Sequence, residues 1–215
     1  MEDLKKIGED NIAEIFQYSG DKILKLYKDG MNIHGCENEY NITRYINDCL
    51  GIAPRAYEIV RINGKIGAVY EKVQGKNMLH SIMSNPMGLK NEGCKLAKYH
   101  LEVHKNVNIN IQLVKDKLKQ DISKVKELSE EEKENIILYL NKLPDDNKLC
   151  HFDFQPGNII IKDKKPVIIN WMTACKGDAA ADVARTLLIL KYGQNKGTSK
   201  ITKKIFEKFQ EKLYE

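Results

Sequence analysis

The chain has 215 residues, with 35 basic and 30 acidic side chains, so its net charge of +5 is a small surplus on a surface rich in both signs. Lys and Glu interleave along it instead of forming a basic face with aromatics between, which speaks against a nucleic-acid-binding module. No apolar run reaches the length of a membrane span, the N-terminus lacks the apolar core of a signal peptide, and five scattered cysteines make neither a disulfide framework nor a zinc pattern. The expected setting is therefore the reducing cytoplasm, for a chain long enough for one domain or two small lobes.

In chain order, Ile7 to Tyr27 reads as three short strands. Ile12 to Phe16 and Lys22 to Tyr27 flank Ser19-Gly20-Asp21, a hairpin turn in which Gly20 tolerates positive φ. Alternation along the last strand puts Ile23, Lys25 and Tyr27 on one face, so Lys25 is placed among inward-pointing neighbours. Glu39, Ile42 and Ile46 follow i, i+3, i+7 spacing, which sets Glu39 on the apolar face of the next helix; Glu37 is the other carboxylate of that stretch. Gly51-Ile-Ala-Pro54 breaks this helix. Strands then run from Tyr57 to Val60 and from Lys65 to Tyr70, joined by Asn63-Gly64, a strong hairpin signal.

From Met78 the pattern is helical. Leu96, Tyr99, Leu101 and Val103 mark a helix ending near His104. Ile111, Val114, Leu118, Ile122, Val125 and Leu128 repeat at three- and four-residue spacing, as on one long amphipathic helix. Ser129-Glu-Glu-Glu132 has the form of a capping box opening another helix, with Ile136, Ile137, Leu140 and Leu143 on its face and Pro144 after it. His100, His104 and His151 read as packing or scaffold residues rather than proton carriers. Asp178 is placed to cap a helix from Ala180 to Leu190; a polar linker, Lys191 to Ser199, and a last helix from Ile201 to Leu213 follow.

The most informative stretch is His151-Phe-Asp-Phe-Gln-Pro-Gly-Asn158, followed by the β-branched run Ile159-Ile-Ile161, a turn at Lys162 to Pro166, and Val167-Ile-Ile169-Asn170. An Asp that takes a proton from a substrate hydroxyl needs a rigid loop, and an oxygen ligand for a metal must follow a few residues on. Asp153 and Asn158 have that spacing.

This stretch, continued through Trp171, Gly177-Asp178, Asp182 and Ala184-Arg185, resembles the aminoglycoside phosphotransferase and choline kinase superfamily. The family core reads His-Gly-Asp-(Phe/Leu)-His-Pro-Gly-Asn, then Ile-Asp-Trp. The resemblance implies an α+β, two-lobed protein kinase-like fold: an N-lobe of antiparallel sheet and one helix over residues 1–73, and a larger, mainly helical C-lobe over 74–215. It implies a phosphotransferase that moves phosphate from ATP or GTP, with Mg²⁺, to a hydroxyl of a small acceptor. It makes Asp153 the catalytic residue, Asn158 and Asn170 the metal ligands, and Lys25, oriented by Glu39, the holder of the nucleotide phosphates. Tyr70-Glu71-Lys72-Val73-Gln74-Gly75 looks like the family's hinge, in which the backbone of Glu71 and Val73 would meet the adenine edge. The departures are Phe152 for Gly, Gln155 for His, Ala179 for Pro and, above all, Asn170 for the metal-binding Asp. That last change opens a second reading, a nucleotide-binding pseudokinase with a weakened Mg²⁺ site.

Overall fold

The computed structural model describes residues 4–31, 33–193 and 207–209. In chain order come strands β1 (Lys6–Glu9), β2 (Ala13–Gln17) and β3 (Lys22–Tyr27), helix α1 (Ile33–Leu50), strands β4 (Ala56–Ile62), β5 (Lys65–Glu71) and β6 (Lys76–Asn77), and helices α2 (Met78–Ser84) and α3 (Leu89–Val103). Helices α4 (Val114–Ser123) and α5 (Glu130–Lys142) lead to β7 (Lys148–Cys150), β8 (Ile159–Lys162), β9 (Lys165–Ile168), β10 (Cys175–Gly177) and helix α6 (Ala179–Tyr192). These elements form two compact units, residues 1–85 with 156–172, and residues 86–155 with 173–215.

The first unit holds a five-stranded antiparallel sheet in the order β1-β2-β3-β5-β4. Two tight turns set its register. Gly20 takes φ +53 between β2 and β3, and Asn63-Gly64, both at positive φ, closes β4 onto β5 as the Asn-Gly signal requires. Ala13, Tyr27, Cys36, Ala68 and Tyr70 form the core that joins this sheet to α1, while Phe16, Leu24, Leu26 and Val69 fill the opposite face. A smaller sheet, β6-β8-β9, is tied to the same unit. At its edge Gly75 lies so close to β8 that an added Cβ would stand 2.3 Å from the Ile161 carbonyl oxygen, a contact only glycine avoids. The backbone N–H of Ile168 donates to the Ile52 carbonyl at 2.7 Å, and Asn77 both caps α2 and donates from its amide to the Gly157 carbonyl at 2.7 Å.

The second unit is mainly helical, with β7 and β10 as a short antiparallel pair. The capping box at Ser129 is present in full: its hydroxyl accepts from the Glu132 N–H while the Glu132 carboxylate accepts from the Ser129 N–H. Asp178 caps α6 through a bond from Ala180 N at 2.7 Å. The expected long helix over residues 111–128 is not formed. Only Val114–Ser123 is helical; Ile111 is buried ahead of it, and Val125 and Leu128 fall in the turns before Ser129. Val114 accounts for the late start, because it packs into a cluster with Cys150, Phe152 and Cys175, and its side chain lies against Gly177, where even a methyl group would clash. Leu101, expected on the packed face of α3, is exposed, and Leu96, His100 and Val103 take that face instead. The expected helix from Ile201 lies outside the described residues except at 207–209, which are helical. All five cysteines are free thiols. Among the described residues no helix is long and apolar enough to cross a membrane.

Candidate active site

Within the first unit, β3 carries Lys25 to the inner side of the sheet, where it is 4% exposed, opposite Glu39 of α1 at 2%. Burial of two charges is tolerable only as a pair with good geometry. Lys25 Nζ donates to Glu39 Oε1 at 2.8 Å and to Oε2 at 3.1 Å, and the Tyr27 hydroxyl donates to Oε2 at 2.7 Å. Burial, reinforced by the Glu39 charge, pushes the Tyr27 hydroxyl far above its ordinary pKa, so it remains a donor. Glu37, the neighbouring glutamate on α1, is partly exposed and lies near His34.

Asn158 follows the turn at Pro156-Gly157, and Asn170 follows β9 with φ +65, a left-handed conformation that asparagine adopts more readily than most residues. The two side chains meet. The Asn170 amide donates to Asn158 Oδ1 at 2.9 Å, while its own Oδ1 accepts from Lys25 Nζ at 3.1 Å. A continuous line of bonds therefore runs from Glu39 through Lys25 and Asn170 to Asn158. As a donor set for Mg²⁺, two amide oxygens are the right atom type but carry no charge, whereas Mg²⁺ is usually held by one or two carboxylates together with substrate phosphates. The residues fit such an ion only if the phosphates, or another carboxylate, supply the charge.

Lys25, Glu39 and Asn170 line a cavity of about 520 Å³, together with Gly8, Asp10, Tyr70, Glu71, Lys72 and Val73. Glu71 and Val73, the hinge residues of the sequence reading, thus share a space with the lysine. The Glu71 side chain is directed elsewhere, into an ion pair with Lys162 at 2.6 Å. Asp10 was not singled out from the sequence. Its Oδ1 accepts from the Ile12 and Ala13 N–H groups at 2.8 and 2.7 Å, and its Oδ2 stands 3.7 Å from Lys25 Nζ.

Within the second unit, Asp153 lies on the loop after β7. Gln155 Nε2 donates to its Oδ1 at 2.9 Å, and the Asp153 N–H donates to His151 Nδ1 at 3.2 Å. Phe152, in the place where the family has Gly, has φ +64, a conformation that costs a non-glycine residue about 1 kcal/mol or more. What holds it there is Asp182, fully buried on α6. Asp182 Oδ1 accepts from the Phe152 N–H at 2.8 Å, and Oδ2 accepts from the His151 N–H at 2.8 Å, His100 Nε2 at 3.0 Å and His104 Nε2 at 3.2 Å. Burial alone would raise the Asp182 carboxyl, but the two histidine bonds outweigh it and hold the group well below the usual carboxylate range. His100, stacked on Phe154 with ring centroids 4.1 Å apart, is itself pushed down by burial and stays neutral. The i, i+4 spacing of His100 and His104 was visible in the sequence; their common partner 78 or more residues away was not.

The sheet with its buried Lys–Glu pair and the Asp-bearing loop with its Asn-containing return are the parts of a protein kinase-like phosphotransferase, and solved structures of that fold are similar throughout the chain. A choline/ethanolamine kinase family protein from Mesorhizobium loti is 15% identical with a TM-score of 0.61, the match covering 98% of this chain and 69% of that one. A choline kinase from Streptococcus pneumoniae is 18% identical with a TM-score of 0.60, covering 98% and 82%, and an amicoumacin kinase is 16% identical with a TM-score of 0.60, covering 99% and 72%. Residues 3–200 match the phosphotransferase enzyme family, and the chain belongs to it. No curated protein matches the sequence.

Proposed function

We propose that the protein transfers the terminal phosphate of ATP or GTP to a hydroxyl of a small molecule in the cytoplasm. The observation that carries this reading is the buried Lys25–Glu39 pair, which lines one cavity with the hinge residues Glu71 and Val73 and with Asn170. A lysine is buried at such cost to present its ammonium to something anionic, and a cavity closed at one side by a hinge backbone suits a nucleotide. In this reading Lys25 contacts the phosphates, Glu39 orients it, and backbone groups of Glu71 and Val73 bind the adenine edge. Asn158 and Asn170 would hold Mg²⁺, which when bound neutralises phosphate charge. Asp153 accepts the proton of the acceptor hydroxyl as its oxygen bonds to the γ-phosphorus and the bond to the departing diphosphate breaks. The similar amicoumacin kinase was solved with AMP-PNP and Ca²⁺, in keeping with this assignment. Residues 1–73 serve the nucleotide, and 74–215 bring Asp153 and the acceptor region.

The second unit has a cavity of about 420 Å³ walled by Val114, Leu118, Leu140, Leu143 and Ala181, with Asp145, Asp146 and Asp178 among its polar residues. Val114, Leu118 and Ala181 also pack in the cluster that contains Phe152, beside Asp153. We assign this space to the acceptor, whose apolar part would meet Val114, Leu118, Leu140 and Leu143 while Asp145, Asp146 and Asp178 offer carboxylates to its polar groups.

ATP or GTP is expected to stabilise the protein by roughly 2.7 kcal/mol at about 100 times its dissociation constant. Thermal denaturation with each nucleotide, with and without Mg²⁺, checks this, and no shift at millimolar nucleotide would exclude the reading.

The second reading, a pseudokinase that binds nucleotide without turnover, is favoured by the Asn158–Asn170 bond, in which the Asn170 amide donates to the very oxygen that Asn158 would offer a metal. Asn170→Asp separates the two. It is expected to tighten Mg²⁺-nucleotide binding and weaken metal-free binding, because it adds a carboxylate facing the phosphates. Turnover that rises together with affinity marks an impaired kinase, and affinity that rises alone marks a binding protein.

A further inference from the structure

We infer that Asp10 is the carboxylate that serves the metal-nucleotide site in place of the one lost at position 170. This rests on the nucleotide-binding reading of the cavity and adds to it a residue that the family pattern does not mark.

Three observations converge on Asp10. First, the side chain is preorganised. Oδ1 is held by the Ile12 and Ala13 N–H groups, the Asp10 N–H donates to the Ala13 carbonyl at 2.9 Å, and Lys28 Nζ donates to the Asp10 carbonyl at 2.7 Å. Such a turn fixes the direction of the remaining oxygen. Second, that oxygen, Oδ2, is directed at Lys25 from 3.7 Å, while Lys25 Nζ is 3.1 Å from Asn170 Oδ1. Asp10, Lys25 and Asn170 therefore stand around one point of the cavity wall. Third, the charges demand it. Glu39 is fully used by Lys25 and Tyr27, and Asn158 and Asn170 are neutral. The carboxylates of the cavity wall other than Glu39 are Glu9, Asp10 and Glu71. Glu71 is paired with Lys162 and Glu9 with Lys6, whereas Asp10 has an oxygen turned to Lys25. A bare polyphosphate arriving at Lys25 meets this carboxylate as a like charge. A divalent cation accompanying the phosphates converts the same contact to attraction, with Asp10 Oδ2 as the charged oxygen ligand that a hard cation prefers.

The test compares wild type, Asp10→Asn and Asn170→Asp by nucleotide affinity, titrating a fluorescent ATP analogue in EDTA and in Mg²⁺. Asparagine keeps Oδ1 for the Ile12 and Ala13 N–H groups, so the turn survives, and circular dichroism with a melting curve verifies the fold. Wild type is expected to bind at least tenfold more tightly with Mg²⁺ than without. Asp10→Asn should remove most of that factor while binding in EDTA stays equal or improves. In the Asn170→Asp background, Asp10→Asn should cost less, because a second carboxylate is present. If Asp10→Asn improves binding equally in EDTA and in Mg²⁺, Asp10 is only a repulsive neighbour of Lys25 and the inference fails, with the nucleotide-binding reading intact. An unchanged Mg²⁺ factor also overturns it. Wild type that binds the analogue in neither condition overturns the inference and the nucleotide-binding reading together.

Discussion

Asp153→Ala is expected to lower phosphate transfer by about 10²- to 10⁴-fold, the range in which a positioned general base contributes, while nucleotide affinity stays unchanged. The separation follows from where the side chain sits. Asp153 is bonded through its carboxylate to Gln155 on its own loop, within the second unit, whereas Lys25 and the residues that line its cavity belong to the first. A base acts mainly in the transition state, so its loss should appear in kcat and in kcat/KM alike, with nucleotide binding preserved in the calorimeter. Gln155→Ala removes the bond that Gln155 Nε2 makes to the carboxylate and should have a smaller effect of the same sign. An Asp153→Ala enzyme as active as wild type would remove Asp153 from the chemistry.

The largest expected loss of stability comes from Asp182. Four donors converge on this one buried carboxylate, two backbone N–H groups of the Asp153 loop and two histidine rings. Removing the acceptor leaves them buried and unsatisfied, and about 3 to 5 kcal/mol of folding free energy should go with it, as for other buried pairs broken on one side. Asp182→Asn should recover only part, because its NH₂ would face donors. Urea denaturation gives the number. The same group sets the pH dependence. His100 has its pKa lowered by burial, so as pH falls below about 6.5 the unfolded chain takes up a proton that the folded one refuses, and stability declines. Asp182, held low, contributes stability that is complete above the ordinary carboxylate range and is lost only in strong acid. Wild type should therefore lose stability from pH 7 to 5, and His100→Phe, which keeps the stacking on Phe154 without a titrating ring, should lose less of it. A wild-type curve flat across that interval would contradict the assignment. Because Asp182 holds Phe152 at positive φ, Phe152→Gly in the Asp182→Asn background should return some stability, a coupling that independent sites would not show.

Much of the local structure was legible because its causes are local. Gly20 and Asn63-Gly64 fix two hairpins through backbone conformations that few other residues adopt, and Ser129 with Glu132 starts α5 by bonds within one turn. The two-residue period of β3 and the helical spacing of α1 were enough to bring Lys25 and Glu39 to facing positions, since each period fixes which side of its element turns inward. Where periodicity alone was trusted the reading went too far. Six apolar residues from Ile111 to Leu128 keep helical spacing, yet a helix forms over only part of them, because Val114 is committed to a cluster with Cys150, Phe152 and Cys175, contacts that no local pattern announces.

The motif around Asp153 and the family to which it belongs could be read from the residues in order, as could the substitution at Asn170. Its surroundings could not. That the Asn170 amide turns to Asn158 while its oxygen meets Lys25, that Asp10 aims a fixed carboxylate at the same lysine, and that Asp182 gathers His100, His104 and the Asp153 loop are facts about residues 12 to 145 positions apart. Sequence alone determined where the hairpins, the capped helices and the catalytic-loop motif fall and which chemical groups they carry, because propensity, capping and alternation act within a few residues. Tertiary structure alone decided which of those groups share a hydrogen bond or a charge, because such bonds are made only when the packed core brings distant elements within about 3 Å of one another.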